Sequence, residues 1–397
     1  MPESDPLRVG IVGLGSRGCY FADLTRAMPH RARVTALHDA YPPRAEAARD
    51  RYASEATVHD SIGALVNDPA VEAVIALTVD AAHPDVCSPA LEAGKHVFCD
   101  KPMAITNEAC DAVAAAARNA AGVFFLGFNL RHSPVYETAH ELVARGDLGT
   151  VMTIEACEWY YGGRSYFRRW HRLRGTGGGL WLTKASHDFD LLNWFAGGRP
   201  VRVFASASLS HYRPKPEAGE RCSDCPIADS CPDYWDVAPL LAHDPPDIRL
   251  TRRPPDAPPP DLCLYNSDKE TFDNAQALVE YDNDVRASLT VNVVASRSTR
   301  KMSVLGTKGS LELDLTKSLV VFTERHTNRQ SVWDVSHATR GGHGGADPRQ
   351  WDDFLEVCRT GRSPRTGVEE GRLAVRVGLA ARESADTGRP VSLSDAR

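Results

Sequence analysis

LRVGIVGLGSRG, residues 7–18, is an apolar run that ends at a glycine and continues as Gly13-Leu14-Gly15-Ser16-Arg17-Gly18. The run reads as a strand, and Cys19 to Ala27 read as the helix after it. A G-x-G-x-x-G between a strand and a helix is a dinucleotide-binding turn. Gly13 permits the tight turn, Gly15 lets the backbone approach a pyrophosphate, and Gly18 lets the helix pack closely on the strand. The N–H groups that open the helix, at Ser16 and Arg17, face the phosphates.

Outward from this turn the same alternation repeats. RVTALHD, AVIALTV, HVFCDK and VFFLGFN are short apolar runs, separated by Ala-rich segments such as RAEAARDRYA and EACDAVAAAARNA. Runs apolar throughout are strands covered on both faces, and their alternation with helices predicts right-handed βαβ units. Residues 1–128 are therefore expected to form an α/β Rossmann domain with a parallel, doubly wound sheet. RVTALHD ends at Asp39, about twenty residues beyond the turn, where a carboxylate accepts from ribose hydroxyls. That favours NAD over NADP, with Arg44 close enough to soften the preference.

After residue 129 the pattern changes. Helices are expected over 134–145, 186–196, 348–360 and 367–387. VMTIEACEWY, VRVFASASLS, QALVEYD, VRASLTVNVVA, RKMSVLGTKGSLELDL and SLVVFTER read as strands, with DND (282–284) and GTKG as hairpin turns. Residues 129–397 are expected to be an α+β domain with a large, mostly antiparallel sheet. A Pro- and Cys-rich insertion interrupts it at about 213–263.

The chain has 397 residues, 42% hydrophobic and 25% charged, with a net charge of −6. Its length calls for two cores, and its charge argues against nucleic-acid or membrane-surface partners. The N-terminus lacks a signal-peptide pattern and no run is long enough to span a bilayer, so a cytoplasmic protein is expected. There, the ten cysteines are thiols or metal ligands rather than disulfides. Cys222-x-x-Cys225-x5-Cys231, with Cys263 at the far end of the insertion, would suit a structural zinc; free thiols or a loop disulfide are the alternatives.

The fingerprint, together with Cys99-Asp100-Lys101-Pro102, resembles the Gfo/Idh/MocA oxidoreductase family. The family's usual motif is Glu-Lys-Pro, so Asp100 is a conservative departure. His83 in VDAAHPDV and GFNLRHSP at 127–134, with Asn129 and Arg131, match further family segments. The resemblance implies that Thr78, His83, Asp100, Lys101 and Asn129 line the cofactor. The family's second motif, Asp-x-x-x-His-x-x-Asp, is here Thr183-Lys184-Ala185-Ser186-His187-Asp188-Phe189-Asp190. Thr183 replaces the first Asp, and Lys184 and His187, three apart, share a helical face. The resemblance places Lys101 against the substrate hydroxyl with His187 near it. His187 is then the acid or base and Lys101 the polarising group, or the reverse, with Lys184 as a third catalytic candidate.

WYYGGRSYFRRWHRLR, residues 159–174, is dense in aromatic and Arg side chains. Aromatic faces hold sugars and Arg binds anionic groups, so Tyr160, Arg168 and Trp170 join Arg131, Thr183 and His187 as substrate candidates; an interface stripe is the other reading. Gly341-Gly342-His343-Gly344-Gly345-Ala346-Asp347 reads as a loop near the site. The sum points to a sugar, sugar derivative or cyclitol oxidoreductase. The alternatives are a redox-neutral glycosidase or epimerase with tightly held NAD, and a non-catalytic NAD-binding regulator. The resemblance also implies a homodimer or homotetramer, paired through the open face of the second sheet.

Overall fold

The computed structural model describes residues 5–243 and 247–393. The first six strands are β1 (Leu7–Val12), β2 (Ala32–His38), β3 (Thr57–Val58), β4 (Ala73–Ala76), β5 (His96–Asp100) and β6 (Phe124–Gly127). They form one parallel sheet in the order β3-β2-β1-β4-β5-β6. This is the doubly wound order, and it reverses between β1 and β4, which opens a crevice at the carboxyl ends of those strands. The central strands β1, β4 and β5 are buried on both faces, with Val9, Ile11, Val74, Ile75, Val97 and Phe98 shut away from solvent, while β2 is partly exposed. The two-residue β3 has no clear sequence signal, because it pairs only at its edge with Ala36 and Leu37.

The second sheet contains β7 (Val151–Tyr161), β8 (Pro200–Ser208), β9 (Asn274–Tyr281), β10 (Arg286–Asn292), β11 (Val294–Gly306), β12 (Gly309–Asp314), β13 (Leu319–Glu324), β14 (Gln330–Asp334) and β15 (Val391–Ser392). Its order is β14-β13-β12-β11-β7-β10-β9-β8-β15. Every pairing is antiparallel except that of β7 with β10, which are parallel neighbours. The Asp282-Asn283-Asp284 turn joins β9 to β10 with Asp284 at a φ of 65°, a conformation Asp tolerates. β14 and β15 were not expected from the sequence; both are short edge strands with little apolar alternation.

Helices cover one face of this sheet. The helix Ser186–Ala196 and the helix Val368–Thr387 pack together, and the latter also lies on β8. Strands such as β9 alternate accordingly, with Ala275, Ala277 and Val279 buried and Gln276 and Leu278 turned outward. The late helix Ala346–Thr360 returns to the first lobe. Its Trp351, Phe354 and Val357 join Phe21, Phe98 and Phe125 in one core. That return brings Asp347 to the glycine turn. Among the described residues no helix is long and apolar enough to cross a membrane.

Candidate active site

The crevice at the carboxyl ends of β1 and β4 continues into the second lobe as a cavity of about 510 Å³. At one end lies the glycine turn. Gly13 has a φ of 93°, and a Cβ there would meet the Leu77 carbonyl at 2.6 Å. A Cβ on Gly18 would sit 2.0 Å from the Gly13 carbonyl, so both positions exclude side chains for packing reasons. Gly15 differs: nothing lies within 4 Å of its virtual Cβ, and the helix Ser16–Arg26 starts beside it without a side-chain cap. Its opening N–H groups thus point at open space where a phosphate fits. Asp39, at the end of β2, accepts from Leu14 N–H at 2.7 Å and Tyr41 N–H at 2.9 Å, and pairs with Arg44 at 3.1 Å.

The opposite end carries titratable groups. Lys101 follows β5 and donates from Nζ to the Thr183 carbonyl. Burial pulls its ammonium below the ordinary lysine range, with Lys184 and Arg17 adding to the effect while Asp80 and Asp100 oppose it. Asp80 is fully enclosed; burial pushes its carboxyl up to about 8 against the pull of Lys101 and Thr183. One of its oxygens, Oδ2, has no partner. His187 is held uncharged by burial and by four cationic or basic neighbours, Lys101, Arg300, His343 and Lys184. No group orients its Nδ1.

Lys184 has a different environment. Its Nζ is 2.7 Å from Glu158, which also receives Arg300 at 2.8 Å, and it lies 3.9 Å from the Tyr160 ring centroid. Burial alone would lower its pKa, but Glu158 outweighs that and the pKa is raised. The raised pKa and the Glu158 contact favour the charged ammonium. His83 ties the segment after β4 to the loop after β5 by an Nδ1 bond of 2.7 Å to the Pro102 carbonyl. Asp100 is held ionised: burial pushes it up, and Arg17 and Lys101 more than reverse this.

Of the residues singled out from the sequence, the cavity wall contains Gly13, Gly15, Ser16, Arg17, Asp39, Thr78, His83, Asp100, Lys101, Asn129, Trp170, Thr183, Lys184 and His187. Gly18 lies just behind it, packed on Gly13. Three substrate candidates lie elsewhere. Arg131 is buried in a bidentate pair with Asp190, at 2.9 and 2.7 Å. Arg168 reaches into the insertion, to the Leu262 and Asp233 carbonyls and Cys222 Sγ. Tyr160 supports Lys184 from behind. Arg17, too, is tied: it bonds Asp100 at 3.0 Å and both oxygens of Asp347 at 3.0 and 3.1 Å.

Other wall residues were not singled out. Asp80, Tyr166, Arg169, His171, Arg300 and His343 all face the cavity. Asp80 had one usable signal, an acid just past an apolar run and three residues before His83. Arg300 had none, since it is one basic residue in a strand. The GGHGGAD loop does reach the site, with His343 bonded to Asp347 at 2.8 Å and 6.2 Å from the His187 ring.

The zinc expectation is corrected. Cys222, Cys225, Cys231 and Cys263 border one small recess, but no three His, Cys, Asp or Glu among the described residues are placed to hold a metal ion. All ten cysteines are free thiols. The insertion's ends are closed instead by backbone bonds, Cys222 N–H to Asp261 O and Cys263 N–H to Glu220 O. The Asp261 carboxylate adds bonds to Ser223 N–H and Arg221.

A parallel sheet with a glycine turn at its switch point, opening onto a buried lysine and an uncharged histidine, defines a dinucleotide-dependent oxidoreductase. Comparison with known proteins agrees. Residues 7–128 match the oxidoreductase family model for the NAD-binding Rossmann fold, and residues 140–393 match its C-terminal alpha/beta domain. The chain belongs to the Gfo/Idh/MocA oxidoreductase family. It is 26% identical to YteT of Bacillus subtilis (strain 168), over 96% of this chain and 97% of that protein. It is 23% identical to the myo-inositol 2-dehydrogenase of Thermotoga maritima, over 98% and 99% of the two chains. A levoglucosan dehydrogenase solved with NADH and levoglucosan shares the fold, with a TM-score of 0.77 at 18% identity, covering 98% of this chain and all of that one.

Proposed function

We propose that this protein moves a hydride between NAD and a secondary alcohol carbon of a sugar, sugar derivative or cyclitol. The observation that carries the reading is one cavity with the glycine turn and Asp39 at one end and Lys101 and His187 at the other. The residues present fit NAD: an open Gly15 beside an uncapped helix start, and a ribose-facing carboxylate at Asp39 that a 2′-phosphate would meet with repulsion. The inositol and levoglucosan relatives support a polyol substrate.

When bound, NAD supplies the hydride acceptor or donor. The chain supplies proton handling. His187 is uncharged near neutral pH, so a ring nitrogen can accept the hydroxyl proton during oxidation and return it during reduction. Lys101, tethered to the Thr183 carbonyl, donates to the substrate oxygen and fixes its position. Lys184 contributes a standing positive charge, which favours a developing alkoxide. The aromatic patch of Tyr166, Trp170 and His171 offers an apolar face for a sugar ring; the Trp170 and His171 rings stack at 3.7 Å.

The test is an NAD-reduction screen over sugars, uronates, glycosides and cyclitols, after identification of any copurifying cofactor. His187→Ala and Lys101→Met should each lower kcat by about a hundredfold or more. Near-wild-type turnover in either variant removes that residue from the mechanism.

A homo-oligomer is part of the same reading. Trp159, Phe204, Leu278, Leu305 and Val332 stand on the outward face of the second sheet, each at least 39% exposed. Phe204 and Leu278 are direct cross-strand partners. Such a patch on a sheet face without helices marks an association surface. Light scattering that gives a monomer, unaltered by Leu278→Asp, would refute it.

A further inference from the structure

The Pro-rich insertion belongs in sequence to the second lobe, yet part of it lies on the first. Ile248, in the short helix Ile248–Thr251, is 6% exposed and packs into the same core as Leu14, Ala45 and Ala48. Arg44 holds the segment from the other side, donating from Nε to the Arg252 carbonyl at 3.2 Å. Between these anchors, Arg249 extends back to the glycine turn. Its Nη1 lies 2.5 Å from Ser16 Oγ, and its Nε is braced by Asp247 at 2.8 and 2.9 Å.

Asp247 pairs with Nε and Nη2 of the Arg249 guanidinium, which leaves Nη1 as the donor directed at the turn. Ser16 opens the helix Ser16–Arg26, which has no acidic residue in its first turn and no side-chain cap. A guanidinium at the positive end of a helix dipole is repelled. A second guanidinium, Arg169, lines the cavity, and among the described residues no carboxylate forms an ion pair with it. Partial desolvation and the nearby Arg249 lower its pKa, while Tyr166, Tyr160 and Asp247 act in the opposite direction. Arg17 cannot relieve the imbalance in the opposite sense, because Asp100 and Asp347 already neutralise it. Two guanidinium groups, one of them shared with Asp247, and the uncapped start of the helix Ser16–Arg26 thus lie at one place, where a diphosphate would find donors.

We infer that the insertion is a clasp on the dinucleotide, in which Arg249, with Arg169, grips the pyrophosphate from the side opposite the glycine turn. The inference rests on the NAD reading above and adds to it a ligand from outside the Rossmann lobe. It also carries a kinetic consequence. Ile248 and the Arg44 bond must release before the cofactor can leave, so exchange is slow.

The experiment uses the full chain and two probes, ADP-ribose, which carries the diphosphate, and adenosine, which lacks it. Calorimetry should show that Arg249→Gln weakens ADP-ribose binding on the order of tenfold or more and leaves adenosine binding unchanged. The salt dependence of ADP-ribose binding should flatten in the variant, and Arg249→Lys should recover part of the loss. Stopped-flow displacement should show NADH leaving faster from Ile248→Ser than from the wild type. Equal ADP-ribose affinity in Arg249→Gln, or equal losses for both probes, overturns the clasp. An unchanged NADH dissociation rate in Ile248→Ser overturns its anchoring. A wild-type chain that binds neither ADP-ribose nor NADH instead overturns the cofactor reading itself.

Discussion

Asp347→Asn tests how the two lobes are joined at the glycine turn. The carboxylate is 1% exposed and receives Arg17 at 3.0 and 3.1 Å, Asn129 Nδ2 at 2.7 Å and His343 Nδ1 at 2.8 Å. An amide of the same shape keeps one accepting oxygen but turns an NH2 toward donors, so two charge-assisted bonds are lost. At roughly 1.5–3 kcal/mol each, the gross loss is about 3–6 kcal/mol. Arg17 retains Asp100 and is partly hydrated, which offsets some of it, leaving about 3 kcal/mol. Asp347 opens the helix Ala346–Thr360, so hydrogen exchange of that helix should quicken by about two orders of magnitude at neutral pH. Burial alone would raise the pKa of Asp347, but the His343 bond and Arg17 bring it well below the ordinary carboxylate range. A depressed folded-state pKa gives stability that is full above the unfolded value near about 3.9 and lost as pH falls through the folded value. The gap between wild type and variant should therefore narrow below about pH 4. Wild-type exchange rates in the variant, or a gap that persists undiminished in acid, would refute the reasoning.

Three further outcomes concern the acid–base groups. Asp80 raises the pKa of Lys101, so Asp80→Asn should shift the alkaline limb of kcat/KM to lower pH; a limb that stays or rises would contradict the coupling. Lys184 is among the cations that keep His187 uncharged, so Lys184→Met should move the acid limb to higher pH, read from the same profile. Glu158→Gln leaves Lys184 and Arg300 buried with less compensation. It should destabilise the protein by about 3–5 kcal/mol in urea unfolding, and a loss under about 1 kcal/mol would mean that Asp188 suffices.

The legible parts of the site were those fixed by local geometry. Gly13 and Gly18 must be glycine because a Cβ would strike backbone a few residues or one strand away, and that constraint is written at one place in the chain. Lys101 and His187, which lie on the wall of one cavity, were singled out through motifs of the family resemblance, one at the end of a strand and one on a helix. The structure departs from the sequence reading where pairing occupies a side chain whose type suggests another role. Arg131 and Arg168 have the chemistry to bind an anion, but Asp190 and the insertion's carbonyls occupy their donors. The four cysteines have ligand spacing, yet backbone bonds close their loop.

The sequence by itself determined the main strands and helices and the cofactor turn, because period and glycine geometry act within a few residues, and the family resemblance pointed to Lys101 and His187; the short edge strands β3, β14 and β15 were not legible. Only the tertiary structure decided which charges are free. Arg17 and Asp347 are 330 residues apart, Lys101 and Thr183 are 82 apart, and Arg249 and Ser16 are 233 apart. Burial and pairing set charge state and availability, and both depend on neighbours that only the closed chain brings into contact.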